Sequence, residues 1–244
     1  MIIGGLQKTT LVDYPSKVAC AVFLVGCNFS CPFCHNRDLV TKELFIKSKI
    51  KPITQNEFFE FLTKRKGILD GVCISGGEPT LNLELPQFID KIKALGFLVK
   101  LDSNGSHPVI LRDLISKKKI DFVAMDIKGP FKDYQKISGR FADIGEVTKS
   151  LKILFDSGLP FELRTTVVPT IHNAKSVEQM VKDVLGLADK CGYKKEKIVW
   201  FLQNFRPANC LDQNFNNYLP FSLSQMDELL TAGQTLLPQM QIRD

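Results

Sequence analysis

The chain has 244 residues, 44% of them hydrophobic and 24% charged, with a formal net charge of +6. That suits one globular domain spanning 1–244 with a sizeable core, two small domains being the alternative. No run of eighteen or more apolar residues occurs, which argues against a membrane span. The basic clusters Lys64-Arg65-Lys66, Lys117-Lys118-Lys119 and Lys194-Lys195 lack interleaved aromatics. They therefore read as solvated helix ends rather than a nucleic-acid surface, and a weakly basic face could equally dock an acidic electron carrier. The first residues lack a basic region followed by an apolar core, so the expected compartment is the cytoplasm. Seven cysteines in such a chain are not a disulfide framework. Three crowd at 27, 31 and 34, whereas those at 20, 73, 191 and 210 are scattered.

Short apolar runs alternate with amphipathic segments along the chain. The first strand is expected at 18–25, and the cysteine triad follows it directly. Thr54 or Asn56 caps a helix that places Phe58, Phe59 and Leu62 on one face. A strand at 69–75 leads to a helix at 83–95, a strand at 97–102 to a helix at 108–118. A strand at 120–127 is followed by a helix at 146–157, closing at Gly158 before Pro160. The strand at 161–168 leads to a helix at 176–190, with Val177, Met180, Val181, Val184 and Ala188 at helical spacing. A strand at 198–202 and a helix at 222–237 finish the pattern. Such alternation implies right-handed crossovers and a parallel sheet. Six units are fewer than the eight of a closed barrel, and a doubly wound sheet alternates in the same way. In both architectures chemistry collects at the carboxyl ends of the strands.

The segment Gly26-Cys27-Asn28-Phe29-Ser30-Cys31-Pro32-Phe33-Cys34-His35-Asn36 offers three thiolates in one tight loop. Structural zinc would need a fourth ligand; His35 is adjacent to Cys34, and Cys20 sits inside an apolar strand. A zinc-bound interaction module and a three-ligand catalytic zinc site are the rival readings. Three cysteines suit a [4Fe–4S] cluster with one iron left open, since full protein ligation takes four. After the second strand, Ser75-Gly76-Gly77-Glu78-Pro79 lets backbone approach a ligand and offers Glu78 to an ammonium group. Asp102-Ser103-Asn104-Gly105 reads as a polar turn after the third strand. Alternation sends Asp126 and Lys128 to one side, where opposite charges pair. Arg164 lies within a strand and needs an anionic partner.

The C-x-x-x-C-x-x-C pattern resembles the signature of the radical S-adenosylmethionine superfamily. Together with Asp13-Tyr14-Pro15, the loop resembles the activating enzymes of glycyl-radical proteins, above all the anaerobic ribonucleoside-triphosphate reductase activating proteins. The resemblance implies an incomplete (β/α)6 barrel with outer helices, a [4Fe–4S] cluster on Cys27, Cys31 and Cys34, and reductive cleavage of S-adenosylmethionine. It implies further that Gly76, Gly77 and Glu78 hold the cofactor's amino group. Asp102, Ser103 and Asn104 then face its ribose or methionine moiety. Lys128 and Arg164 grip its carboxylate, with Asp126 in support, directly or through a monovalent cation. Phe33 lines the adenine site through its backbone or simply packs. The implied partners are a glycyl-radical enzyme, an anaerobic ribonucleotide reductase in the nearest match, and a flavodoxin- or ferredoxin-like electron donor. Gln203-Asn204-Phe205-Arg206-Pro207 replaces the histidine-bearing segment of better-known activating enzymes, so the ribose contact there stays unassigned. His172 reads as an ordinary loop histidine. A radical enzyme acting on a small molecule or a peptide side chain is the alternative within the superfamily.

Overall fold

The computed structural model describes residues 1–139 and 141–243. It comprises two compact units. The first contains 1–28, 38–103 and 109–124; the second contains 29–37, 104–108 and the chain from 125 onward.

In the first unit β1 (Ile3–Thr10) runs antiparallel to β2 (Ala19–Leu24). Two helices follow, α1 (Lys42–Lys47) and α2 (Gln55–Lys64), then β3 (Gly71–Gly76), α3 (Leu85–Ala94), β4 (Leu98–Ser103) and α4 (Pro108–Ser116). β5 (Phe122–Asp126) begins in this unit beside β4 and carries the chain into the second. β2, β3 and β4 pair in parallel, with Ala19 opposite Gly71 and Gly71 opposite Leu98. β2 is apolar throughout, as suits a strand covered on both faces. Thr54 caps α2 in a reciprocal capping box with Glu57. α3 buries Leu85, Phe88, Ile89 and Ile92, the one-sided spacing of a helix with a single apolar stripe. Phe88 stacks on Phe58 of α2 with ring centroids 5.3 Å apart.

The second unit holds α5 (Tyr134–Ser138), α6 (Ile144–Ser157), β6 (Phe161–Val167), α7 (Ala174–Lys190), β7 (Trp200–Asn204), α8 (Leu223–Gln234) and β8 (Gln241–Ile242). β6, β7 and β8 pair in parallel, and the end of β5 lies beside β6, where Ile127 N donates to Arg164 O at 2.8 Å. α6 ends at Gly158 in the left-handed region, φ 69°. Asn173 and Ser222 cap α7 and α8 with reciprocal bonds to Ser176 and Gln225.

The six expected strands are all present in a mostly parallel α/β arrangement. Four elements had no clear sequence signal: β1, α1, α5 and β8. β1 contains Gly4 because a Cβ there would collide with Leu39 and crowd Val25. Its polar Gln7-Lys8-Thr9 end is exposed, so no two-residue alternation marks it. β8 has only two residues, and tertiary contacts hold it: Arg243 pairs with buried Glu162 at 2.8 Å through both guanidinium nitrogens. Among the described residues, no helix is long and apolar enough to cross a membrane.

Candidate cofactor site

Of the residues the sequence singles out, the first unit holds Cys27, Gly76, Gly77, Glu78, Asp102 and Ser103, every one at or just after the carboxyl end of β2, β3 or β4. Gly26 N donates to Leu39 O and Cys27 N to Val40 O, both at 2.8 Å, so the backbone around the first cysteine is tied down. The two glycines of the β3 turn serve packing of chain on chain. Gly76 has φ 118° and lies where a side chain would strike the Leu24 backbone; a Cβ on Gly77 would strike the Gly26 carbonyl. That closeness lets Gly77 N donate to Leu24 O at 2.9 Å and Glu78 N to Gly26 O at 2.7 Å. The β3 turn is thereby bolted to the Cys27 turn. The close approach observed at these glycines is to the neighbouring turn.

Glu78 is fully buried. Its Oε1 accepts from Thr80 N at 3.2 Å, from the Thr80 hydroxyl, and from Ser103 Oγ at 3.0 Å. These donors are neutral. Asp102 instead meets a cation: Lys100 Nζ lies 3.5 Å from its Oδ1, which also accepts from Cys73 Sγ at 3.6 Å.

The second unit, taken by itself, holds Cys31, Phe33, Cys34, Asn104, Asp126, Lys128 and Arg164. Cys34 N donates to Cys31 O at 3.0 Å, closing a turn that the segment after β7 braces: Asp212 N donates to Pro32 O and Leu211 N to Cys34 O. Phe33 is buried and packs its ring against Phe215, centroids 6.4 Å apart. Asn104 Oδ1 accepts from Ser106 N at 2.9 Å, a local side-chain turn. Asp126 stands between two cations: Oδ2 accepts from Lys128 Nζ and Oδ1 from Arg164 Nε, each at 2.9 Å. Burial would raise the Asp126 carboxyl, but Arg164 and Lys128 outweigh it and hold it well below the usual carboxylate range. Burial likewise opposes the charge on Lys128, and Asp126 overrides it, so the ammonium is held above its ordinary range.

Among the described residues no cysteine is in a disulfide. Burial pushes the Cys31 thiol up to about 11 and raises that of Cys34, while Lys128 pulls both down. Cys20 is fully buried in β2, its thiol pushed by burial up to about 12, as befits a core residue. Among the described residues, no three His, Cys, Asp or Glu side chains form a ready-made metal site. The cysteine loop nevertheless fits a thiolate-bound cluster in its chemistry. Cys31 Sγ lies 3.8 Å from Ser138 O, and the buried hydroxyl of that same serine has no hydrogen-bond partner among the described residues, a donor left over next to the cysteine loop's own contact.

Three further residues of this region gave no sequence signal. Tyr134 is fully buried, edge-on to Phe29 of the cysteine loop, and its hydroxyl donates to Asp126 O while accepting from Lys128 N. His172 lies in the loop before α7, as its reading from the sequence expects, and is buried there. Its Nδ1 accepts from Val168 N at 2.9 Å, so the proton rests on Nε2, which donates to Lys128 O at 3.0 Å. Burial lowers its pKa to about 4, keeping the ring neutral. Lys100 is a fully buried lysine that alternation alone did not single out.

The family model of the radical SAM superfamily matches residues 21–184. A protein of Methanocaldococcus jannaschii that carries the provisional name glycyl-radical enzyme activating enzyme is 29% identical over 99% of this chain and 95% of its own. The pyruvate formate-lyase-activating enzyme of Listeria monocytogenes is 30% identical over 69% of each chain. Among solved structures, Streptococcus suis SuiB bound to S-adenosylmethionine has a TM-score of 0.63 at 13% identity, covering 90% of this chain and 48% of that one. The enzyme anSMEcpe with bound AdoMet has a TM-score of 0.57 at 16% identity, covering 90% and 62%. At these identities the solved structures speak for the fold, and this chain spans about half the length of SuiB. The family works with a [4Fe–4S] cluster and S-adenosylmethionine. With the superfamily model matching most of the chain and activating enzymes aligning along it, the chain belongs to the radical SAM superfamily, as an enzyme of the glycyl-radical activating class.

Proposed function

We propose that this enzyme, acting as a single functional domain in the cytoplasm, installs a glycyl radical on an anaerobic ribonucleoside-triphosphate reductase. The observation that carries the cofactor reading is the charge of the strand ends. Asp126 with Lys128 and Arg164 sums to one net positive charge, a receptor for a carboxylate. Glu78, oriented by Thr80 and Ser103, offers a carboxylate to an ammonium. An α-amino acid moiety carries both groups. Cys27, Cys31 and Cys34 would hold the cluster, three protein ligands where full ligation takes four. When bound, the cluster and S-adenosylmethionine supply a reducing electron and a carbon-centred radical able to take a glycine α-hydrogen.

The protein's own part is placement. His172 and Tyr134 fix the Lys128 backbone, so its ammonium and the Arg164 guanidinium are aimed before the ligand arrives. Ser103 orients Glu78, and the paired glycines hold Glu78 against the Cys27 turn. Asp102, Ser103 and Asn104 complete the contacts to ribose or methionine, and the Phe33 backbone lines the adenine. The electron donor is an acidic flavodoxin- or ferredoxin-like protein. The reductase assignment rests on the Asp13-Tyr14-Pro15 and Cys27–Asn36 resemblance. It is tested by mixing reduced enzyme, S-adenosylmethionine and the reductase anaerobically. Electron paramagnetic resonance should show a carbon-centred radical whose proton splitting vanishes on glycine deuteration, with label recovered in 5′-deoxyadenosine. Cofactor cleavage without radical or label transfer would remove the reductase role and leave a small molecule or peptide side chain as substrate.

A further inference from the structure

We propose that Lys100, held in place by the Asp13-Tyr14-Pro15 segment, is the positioning residue for Asp102. The inference rests on the reading that Asp102 faces the cofactor.

Lys100 is fully buried in the middle of β4. A lysine is rarely enclosed in this way without partners that meet its charge. Three of its neighbours, Asp13, Asp102 and Phe122, lie in the first unit. The ammonium donates to the carbonyl oxygen of Asp13, stands 3.5 Å from Asp102 Oδ1, and lies 5.7 Å from the Phe122 ring centroid. Strand alternation puts Lys100 and Asp102 on one face, with Lys100 two residues further from the carboxyl end where Ser103 reaches Glu78. The cation therefore supports the carboxylate from the core side.

The segment at 13–15 is built to hold that cation. Tyr14 is almost fully buried, with its ring 6.0 Å from that of Phe122. It occupies the space that Gly71 leaves, since a Cβ there would come within 2.9 Å of Tyr14 Cε1. Lys17 N donates to Tyr14 O at 3.1 Å and closes the turn. With the ring wedged between β3 and β5, the Asp13 carbonyl is fixed toward Lys100. Cys73 Sγ adds a second donor to Asp102 Oδ1. A carboxylate held by an ammonium and a thiol has lost its torsional freedom before any ligand binds, which is the advantage of preorganisation.

The test is a double-mutant cycle on anaerobically reconstituted, cluster-loaded enzyme, titrated calorimetrically with S-adenosylmethionine. The variants are Lys100→Met, Lys100→Gln (which keeps a donor for the Asp13 carbonyl), Asp102→Asn and the double variant Lys100→Met/Asp102→Asn. Iron content and circular dichroism confirm that each is folded and loaded. Each single variant should raise Kd by about 10-fold or more, and the double variant should bind no more weakly than Asp102→Asn. In reductive cleavage the loss should fall on KM for S-adenosylmethionine rather than on kcat. Lys100 variants that bind like the unaltered enzyme, or losses that add in the double variant, overturn the proposal. Asp102→Asn binding with unaltered affinity overturns instead the reading that Asp102 faces the cofactor.

Discussion

The two units end their strands in opposite electrostatic styles. In the first, buried Glu78 accepts from hydroxyl and amide donors, and the buried Lys100 lies further back along β4 against Asp102. In the second, Asp126 is ionically bonded to two cations at the strand ends themselves. Hydrogen bonds from neutral groups orient a carboxylate without cancelling its charge, whereas flanking cations cancel it and leave a surplus. One parallel-sheet architecture can thus present either sign at its carboxyl edge. The sign depends on whether hydroxyl residues or long basic side chains occupy the last pleats.

The largest effect that tests this pairing concerns the thiols, which are divided between the units: Cys27 in the first, Cys31 and Cys34 in the second. Replacing any one with Ala should abolish cofactor cleavage and deplete the roughly four irons per chain that one cubane requires. Cys191→Ala, at the end of α7, should retain both. Iron and acid-labile sulfide analysis after anaerobic reconstitution checks it, and stoichiometric zinc in active, iron-free protein would sink the cluster reading.

Next in size, the second unit should be the more sensitive to acid. His172 is neutral when folded because burial depresses its pKa to about 4. The unfolded chain takes up a proton near pH 6.5 and the folded chain does not, so the stability present above that pH is lost as the pH falls toward 4. The full difference is about 3 kcal/mol. Denaturant unfolding at pH 7 and pH 5, with and without His172→Gln, should show the dependence flatten in the variant. Equal slopes would mean the histidine does not titrate between the two states.

The smallest effect separates the two charge styles. Lys128→Met or Arg164→Met should weaken S-adenosylmethionine binding by about 1.5–3 kcal/mol. Glu78→Gln should lose a similar amount, yet be indifferent to removal of the cofactor's amino group, to which the unaltered enzyme responds. Calorimetric titration with S-adenosylmethionine and its des-amino analogue distinguishes these outcomes. A Glu78 variant as responsive as the original would dissociate Glu78 from the ammonium.

Much of this protein is legible before folding is considered. Uninterrupted apolar runs such as Ala19–Leu24 suit strands covered on both faces, so the parallel α/β class follows from local pattern alone. Cysteine spacing and the position of polar residues just after such runs are also local, and the Asp126–Lys128 pair follows from two-residue alternation. The remainder depends on chain segments distant in sequence. β1 and β8 owe their existence to neighbours rather than to their own composition, and Gly77 is required by the Gly26 carbonyl some fifty residues earlier. Tyr134 and His172 have no pattern to mark them, and Lys100 shares a face with Asp102 by alternation but owes its other partner to the fold, because each matters through backbone groups that tertiary folding delivers: the amide and carbonyl of Lys128, the carbonyl of Asp13. A sequence displays side-chain chemistry and its period. Which buried carbonyl meets which donor is decided only when distant turns pack, since every buried polar group must then find a partner.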